Sequence, residues 1–287
     1  MFTFRTLVEK YNKNNQNESE QKGASLLFTN KWRETMITSK SNELVKYIKS
    51  LHQKKYREEY QKYFVEGIKL VKEAIAEKMP IHKMIICQEL YNETIDTKKY
   101  EVEYVNQAVF EFISDTKSPQ GIMAIIDILH KDEITEDTIF ALDNIQDPGN
   151  LGTIIRTLDC AGIQTLLLSK GTVDLYNPKV IRSTMGAIYR VNTQENLNLK
   201  EKLLELKKDG YQIVITDLLA QMYHYDLNFK EKLVIVIGNE ANGISEEIKE
   251  LADIKIKIPM LGRTESLNAG VAASIVAYER VRHSKVK

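Results

Sequence analysis

The sequence predicts an α/β protein in which a small amino-terminal α/β domain precedes a larger domain built on a mostly parallel sheet. From residue 138 onward, apolar runs of strand-like length alternate with amphipathic stretches of helical length, as in a parallel sheet covered on both faces. Three Gly- and Asn-rich loops also follow apolar runs, and parallel strands deliver such loops to one sheet edge, where open α/β folds bind ligands. The loops are DNIQDPGNLG at 143–152, GNEANG at 238–243 and PMLGRTESLN at 259–268.

The composition limits the class of protein. The 287 residues are 43% hydrophobic, which is enough for a substantial core and about two domains. Because the formal net charge is +0, a polyanionic partner would have to meet a local basic patch. No apolar run approaches the ~18 residues that span a bilayer, and the amino terminus has no apolar signal core, so a cytoplasmic protein is expected. The 2 cysteines are far apart and the 5 histidines lack metal-ligand spacing, so no metal site is predicted.

The amino-terminal half begins with a polar segment rich in Asn, Gln, Glu and Lys, a composition typical of a flexible arm. Strand-like and helical patterns then alternate, which predicts a small α/β sandwich followed by a charged linker, HKDEITED at 130–137. The predicted elements are a helix near 41–53, strand 63–67 closed by Gly67, helix 68–78, and strands 82–87, 101–105 and 121–129. The predicted domains are the arm at 1–35, the small α/β domain at 36–132 and the larger domain at 133–287, with the boundary near 133.

The carboxy-terminal half has the more regular alternation of strands and helices. Its last helix is rich in Ala, Gly and Ser, and such small residues permit close approach to a strand or to another subunit. The predicted elements are strands 138–145, 164–169, 211–217, 232–239 and 254–259, and helices at about 150–161, 177–187, 198–208, 245–251 and 267–283.

The loops do not match the common nucleotide-binding sequences. A dinucleotide-binding fold requires G-x-G-x-x-G after its first strand, and neither that string nor a Walker A lysine motif occurs. The loops instead carry side-chain amides, which both donate and accept hydrogen bonds and can hold a polar ligand. The alternative is that these asparagines cap helices and occupy left-handed turn positions. They are Asn144, Asn150, Asn239, Asn242 and Asn268.

Three motifs in these loops resemble those of a known enzyme family. They are N-x5-R-T at Asn150, Arg156 and Thr157, IGNEANGIS at 237–245, and IPM-x-G-x3-SLN at 258–268. In order and spacing they resemble the SpoU (TrmH) RNA 2′-O-ribose methyltransferases of the SPOUT superfamily. The segment SKSNELVKYIKSLHQKKYREEYQKYFVEG at 39–67 is similar to the substrate-binding domain of many members, which itself is similar to ribosomal protein L30e. The resemblance covers roughly residues 38–283.

The resemblance implies a fold, a cofactor and a set of site residues. The fold is an L30e-like domain followed by a SPOUT domain with a carboxy-terminal trefoil knot, the cofactor is S-adenosylmethionine, and the assembly is a homodimer with its active site near the subunit interface. The implied catalytic residues are Arg156, Asn150, Ser266, Asn268 and Glu240. The implied cofactor-binding residues are Gly238, Asn239, Glu240, Ile258, Pro259, Met260, Gly262, Leu267 and Asn268.

The chemistry of methyl transfer narrows the role of Arg156. The reaction is an in-line displacement in which the protein supplies alignment and helps to remove the hydroxyl proton. None of the three loops contains a histidine. A guanidinium with a pKa above ~12 is a poor base, so positioning a phosphate or stabilising an alkoxide is the easier role for Arg156. Asn150, which follows Asp147, Pro148 and Gly149, is expected at the N-cap of the next helix.

A contact surface for RNA is predicted in the amino-terminal half. Between Lys31 and Lys62 the basic residues outnumber the acidic ones, and tyrosines at 56, 60 and 63 lie among them. Phosphate attraction and base stacking could therefore be combined, although a solvated helix with aromatic anchors has the same pattern. The candidate RNA-binding residues are Lys46, Lys49, Lys54, Lys55 and Arg57.

These observations favour an S-adenosylmethionine-dependent enzyme that methylates the ribose 2′-hydroxyl of a structured RNA. The two-domain layout favours ribosomal RNA over transfer RNA. Two alternatives remain open, namely a catalytically silent RNA-binding protein that keeps the fold and a methyltransferase that acts on a base nitrogen.

Overall fold

The computed structural model describes residues 36–130 and 133–284, so the arm predicted for residues 1–35 lies outside the described residues. The helices are α1 (Glu43–Ser50), α2 (Lys54–Tyr60), α3 (Ile68–Ala76), α4 (Gln107–Ile113), α5 (Pro148–Cys160), α6 (Pro178–Thr184), α7 (Leu199–Lys208), α8 (Glu246–Lys249) and α9 (Ala269–His283). The strands are β1 (Lys62–Glu66), β2 (Ile81–Ile86), β3 (Val102–Tyr104), β4 (Ile122–Asp127), β5 (Thr138–Asp143), β6 (Thr165–Ser169), β7 (Asn192–Leu197), β8 (Gln212–Thr216), β9 (Met222–Tyr223), β10 (Leu233–Gly238) and β11 (Ile254–Lys257).

The amino-terminal half contains a four-stranded sheet in the order β1-β4-β2-β3. β4 is antiparallel to β1 and β2, whereas β2 and β3 are parallel. One face of the sheet packs on α3 through Val71 and Ala74, and the other packs on α1 and α4 through Ile48 and Phe110. Because both faces of the central strand β4 are buried, its sequence IMAIID is a nearly continuous apolar run.

The carboxy-terminal half contains a seven-stranded sheet in the order β7-β6-β5-β10-β8-β11-β9. All of its neighbouring strands are paired in parallel. Helices α5, α6 and α9 contribute to the core on one face, while α7 and α8 cover the other. The predicted α/β class with a mostly parallel sheet is therefore confirmed. The predicted domain boundary near residue 133 falls between the two sheets and stays a prediction.

Several predicted elements differ in detail. The helix expected near 41–53 ends at Ser50, where Leu51 caps α1, and a second helix, α2, which was not predicted, begins after Gln53, whose backbone is extended. The break at 51–53 contains no Gly or Pro, so the sequence does not indicate it. The helix expected at 177–187 ends at Thr184, where Met185 adopts a left-handed conformation. No helix among the described residues is long and apolar enough to cross a bilayer.

Candidate active site

The three Asn-rich loops begin at the carboxyl ends of β5, β10 and β11, at one edge of the parallel sheet. β5 ends at Asp143, β10 at Gly238 and β11 at Lys257. β5 and β10 are paired side by side, whereas β11 joins the same sheet through β8. The position predicted from the sequence is the position found, at the edge where parallel α/β sheets bind ligands.

Asn150 is the centre of the polar contacts at this edge. Its side-chain Nδ2 donates to Glu240 Oε1 at 2.5 Å, and its Oδ1 accepts from Asn268 Nδ2 at 2.7 Å. A carboxylate accepts hydrogen bonds only, so the bond to Glu240 fixes the orientation of the Asn150 amide. Asn150 is 8% exposed. One nearly buried amide therefore joins residues from all three loops. We call Asn150, Glu240 and Asn268 the Asn150 cluster.

The expectation that Asn150 caps its helix is wrong. Asp147 is the N-cap of α5, because its Oδ1 accepts from the backbone N–H of Asn150 at 2.8 Å. Pro148 then occupies the first helical turn, where a missing N–H has no consequence. Since Asp147 satisfies the helix end, the Asn150 side chain is free to make contacts across the loops. Asn268 does cap α9, and its Oδ1 accepts from Val271 N at 3.3 Å.

The second loop is held in shape by Asn239. The Oδ1 of Asn239 accepts from the backbone N–H groups of Ala241 and Asn242, and its Nδ2 donates to the Asn144 carbonyl at 2.7 Å. The loop closes so tightly that a Cβ on Gly238 would lie 2.4 Å from the Gly243 carbonyl carbon. Glycine at 238 is therefore required by close backbone approach rather than by an unusual φ angle. Both features fix the shape of the loop beside Glu240.

A cavity of about 280 Å³ lies between the second and third loops. It brings together many of the predicted cofactor-binding residues, with Ser266 at the same wall. Those that line it are Gly238, Asn239, Glu240, Ile258, Met260 and Leu267. Three others do not line it: Pro259, Gly262 and Asn268.

Part of the cavity wall was not predicted from the sequence. Thr216, Asp217 and Leu218 line it from the end of β8. The apolar run of β8 could have indicated this part of the wall, because β8 also belongs to the parallel sheet. The loop after β8, however, lacks the Gly and Asn residues that distinguish the other three loops. Among the described residues, the wall carries three carboxylates, of Asp217, Glu240 and Glu265, and one ammonium group, of Lys257. This charge balance favours a ligand with positive charge and an apolar body.

Arg156 lies outside these contacts. Its side chain is exposed on α5, and within residues 36–130 and 133–284 it makes no hydrogen bond or ion pair. Six helical residues place it about 9 Å along the axis from Asn150. The neighbouring Thr157 holds α5 to α9 through a 3.0 Å contact between its Oγ1 and Ser274 Oγ. Among the described residues, the Arg156 guanidinium thus has no partner, and it lies on the helix that carries Asn150.

The predicted RNA-binding set needs one correction, because Arg57 does not lie on the surface. It is 4% exposed, forms an ion pair with Asp174 and donates from Nη1 to the Leu51 carbonyl at 2.6 Å. Lys46 and Lys54 form exposed ion pairs with acids of their own helices, and Lys49 and Lys55 lie over aromatic rings. Tyr63, one of the interleaved tyrosines, is also buried. A one-dimensional count of charge cannot distinguish these orientations.

The chain is similar to known proteins over most of its length. Residues 137–278 match the SpoU rRNA Methylase family, and residues 42–124 match the MRM3-like substrate binding domain. The 23S rRNA (guanosine(2553)-2′-O)-methyltransferase RlmP of Bacillus subtilis is 31% identical over 242 residues, 84% of this chain and 97% of the relative.

Solved structures are similar as well. The AdoMet-bound rRNA methyltransferase from Sinorhizobium meliloti has a TM-score of 0.77 at 30% identity, over 87% of this chain and 98% of that one. The SpoU methyltransferase AviRb from Streptomyces viridochromogenes, at 23% identity, supports the fold alone, with a TM-score of 0.74 over 84% of this chain and 97% of its own. From the three motif loops, the matched domains and these relatives together, the chain belongs to the SpoU RNA methyltransferase family.

Proposed function

We propose that this protein transfers a methyl group from S-adenosylmethionine to the ribose 2′-hydroxyl of a structured RNA, with ribosomal RNA as the favoured substrate. The observation that carries the proposal is the Asn150 cluster, which joins the three motif loops beside a cavity with an acidic wall. The relative from B. subtilis acts on 23S rRNA by its name, which supports ribosomal over transfer RNA.

The residues that line the cavity fit the cofactor by their polarity and charge. Ile258, Met260 and Leu267 offer apolar contacts for an adenosyl group, and backbone at Gly238 can approach a ligand closely. The carboxylates of Glu240 and Asp217 complement a sulfonium centre and an ammonium group. The S. meliloti relative was solved with AdoMet bound, which supports the same ligand for this chain.

In the proposed reaction the S–CH₃ bond breaks as the bond from the ribose O2′ to the methyl carbon forms, S-adenosylhomocysteine leaves, and the hydroxyl proton passes to solvent. Arg156 holds the adjacent phosphate and stabilises negative charge that develops on O2′. Asn150, Ser266 and Asn268 fix the loops around the reacting atoms. An in-line displacement gains most from such alignment, because the approach of the two reactants is restricted in advance.

The unpaired Arg156 also supports a homodimer. An exposed guanidinium that has no partner among residues 36–130 and 133–284 is available to RNA or to a second copy. Val271 and Tyr278 expose apolar surface on α9, the helix that packs against α5. We propose that two copies associate through this region. We propose further that residues 36–132 form the RNA-binding domain, residues 133–287 the catalytic domain, and that the segment around α9 forms the trefoil knot expected from the resemblance.

The proposal is tested with purified protein, tritiated S-adenosylmethionine and ribosomal RNA from cells that lack the gene. Nucleoside analysis of the product should yield one 2′-O-methylated nucleoside. A methylated base would instead identify a base methyltransferase. Calorimetry addresses the silent alternative, since absence of heat and of thermal stabilisation at millimolar S-adenosylmethionine would exclude cofactor use. Ribose-methylation mapping of total RNA from cells with and without the gene then identifies the nucleotide.

A further inference from the structure

A segment of the carboxy-terminal half, residues 174–190, packs into the hydrophobic core of the amino-terminal half. We call it the docking segment. Its Ile181 and Tyr189 belong to the same buried cluster as Tyr63 of β1. Its Tyr176 ring lies 4.5 Å from the Tyr63 ring, measured between centroids. Because the two halves share one core here, they cannot separate without exposing buried aromatic surface.

A buried ion pair lies at the same boundary. The Arg57 guanidinium of α2 binds the Asp174 carboxylate, and the exposed fractions of the two side chains are 4% and 13%. A second bond from Arg57 goes to the Leu51 carbonyl and fixes the arginine in its own half. Charges taken out of water require a partner in good geometry, so this pair resists any rotation of one half relative to the other.

A second arginine ties the amino-terminal half directly to the helix of the active site. Arg190 contacts Asp159 of α5 at 2.9 Å and the α3 carboxylate of Glu73 at 2.7 Å. It also lies 3.1 Å from Glu77, just after α3. Its pKa is raised above the ordinary arginine value, mainly by the hydrogen bonds to Asp159. One guanidinium therefore links α3 to α5, the helix that carries the Asn150 cluster and Arg156.

We propose that the docking segment, and not the connection at 130–137, fixes the orientation of the RNA-contacting half relative to the Asn150 cluster, with Arg57 and Asp174 as positioning residues. Domains within one chain move relative to each other by default unless their interface is large and apolar. Here a shared core, a buried ion pair and the Arg190 link remove that freedom. The inference rests on the proposed function and specifies its substrate as an RNA whose recognised feature and target ribose have a fixed spacing.

The first test lengthens the connection. About ten Gly and Ser residues inserted between positions 131 and 132 would free the two halves if the connection held them. We expect the turnover of ribosomal RNA to stay within about twofold of the parent. The docking segment should keep the two halves bound to each other whatever the length of the connection. A loss of about tenfold or more, at unchanged cofactor affinity and melting temperature, would overturn the inference.

The second test breaks docking in the lengthened protein. Asp174→Arg places a cation against Arg57, and the matched control Asp127→Arg breaks a 2.8 Å ion pair with Lys62 inside the amino-terminal half. In the lengthened protein we expect D174R to lower kcat/KM for RNA by tenfold or more, at unchanged S-adenosylmethionine affinity, whereas D127R changes it little. Equal effects of the two variants would contradict the inference.

Different results would contradict the proposed function and the role of the docking segment. A parent protein that binds S-adenosylmethionine but methylates no RNA would remove the proposed function. A parent that methylates RNA, combined with a lengthened protein that does not, would leave the function standing and remove only the role of the docking segment. Small-angle X-ray scattering gives an independent measurement, because the lengthened D174R protein should have a broader distance distribution than the lengthened parent.

Discussion

Asn150 and Glu240 are joined by a 2.5 Å hydrogen bond from amide Nδ2 to carboxylate Oε1, although 90 residues separate them in the chain. The same Asn150 amide accepts from Asn268, so a single side chain determines how the three motif loops meet. Replacement of this residue should therefore affect loop geometry and chemistry together.

Asn150→Asp should lower methyl transfer by about 100-fold, because it places a carboxylate against Glu240 and removes the donor between them. Two adjacent carboxylates raise the pKa of one of them in the folded state. The folded state of the variant is then destabilised at neutral pH. The destabilisation is relieved as the pH falls through the raised pKa, because the folded variant takes up the proton at a higher pH than the unfolded variant does. Melting curves at pH 7 and pH 5 measure this. Asn242→Asp, on the loop that carries Glu240 but outside the Asn150 cluster, is the control and should lack the pH dependence.

Arg156→Ala should abolish methylation, with a loss of about 10²- to 10⁴-fold, while cofactor affinity and melting temperature stay near the parent values. The side chain is exposed and has no partner among the described residues, so its removal breaks no packing. Tritium incorporation and calorimetry give the two readouts. Arg282→Ala, an exposed arginine at the end of α9, is the control. Full activity in R156A would remove Arg156 from the mechanism.

Gly238→Ala should weaken S-adenosylmethionine binding and destabilise the protein by about 1–3 kcal/mol, because the added methyl group meets backbone that cannot move aside. Gly243→Ala is a matched comparison on the same loop. Its Cβ would meet nothing within 4 Å, but its φ of +67° is unfavourable for alanine, which costs about 1–2 kcal/mol. We expect cofactor affinity to fall further in G238A than in G243A. The reverse order would mean that loop conformation, and not close approach, shapes the pocket.

Arg57→Met should destabilise the protein by about 3–5 kcal/mol, because it removes the cation that pairs with the Asp174 carboxylate, which is only 13% exposed. Lys46→Met breaks an exposed ion pair with Glu43 and should cost at most about 1 kcal/mol. Urea unfolding midpoints compare the two substitutions. Similar midpoints would show that the Arg57 pair is solvated in solution.

Charge reversal across four lysines of α1 and α2, of which Lys49 is half-buried and the others exposed, should weaken RNA binding and make its salt dependence shallower. The set is Lys46, Lys49, Lys54 and Lys55. Each lost phosphate contact should reduce the slope of log K against log[salt] by about 0.7 for a single strand. Reversal of Lys98 and Lys99, exposed lysines elsewhere in the same half, is the control. An unchanged slope in the fourfold variant would place the RNA footprint on another surface.

Strong sequence patterns predicted the fold well. Buried strands such as β5 and β10 are mostly apolar and are followed by Gly- and Asn-rich turns, so both the apolar run and the turn residues identify them. β7 was missed because its sequence, NTQENL, has no apolar run, and β9 was missed because it has only two residues. The pairing of these strands depends on tertiary contacts, which local propensity does not contain.

The sequence predicted which residues belong to the candidate site, but not the hydrogen bonds between them. Motif spacing identified Asn150, Glu240 and Asn268, but the hydrogen bonds among them join positions 90 and 118 residues apart. The error at Arg57 has the same origin. Its charge is visible in the sequence, whereas its partner Asp174 lies 117 residues away and is brought to it only by the docking segment.

The two outer strands of the seven-stranded sheet have a consequence for self-association. A sheet that ends in a long, flat, apolar strand is a template for pairing with other molecules and for fibril growth. Here β9 is short, and β7 carries Asn, Thr, Gln and Glu side chains with a register shift against β6 between Leu167 and Ser169. Edge strands of this kind disfavour the addition of a strand from another molecule. They therefore lower the tendency to aggregate of a protein whose other strands are mostly apolar.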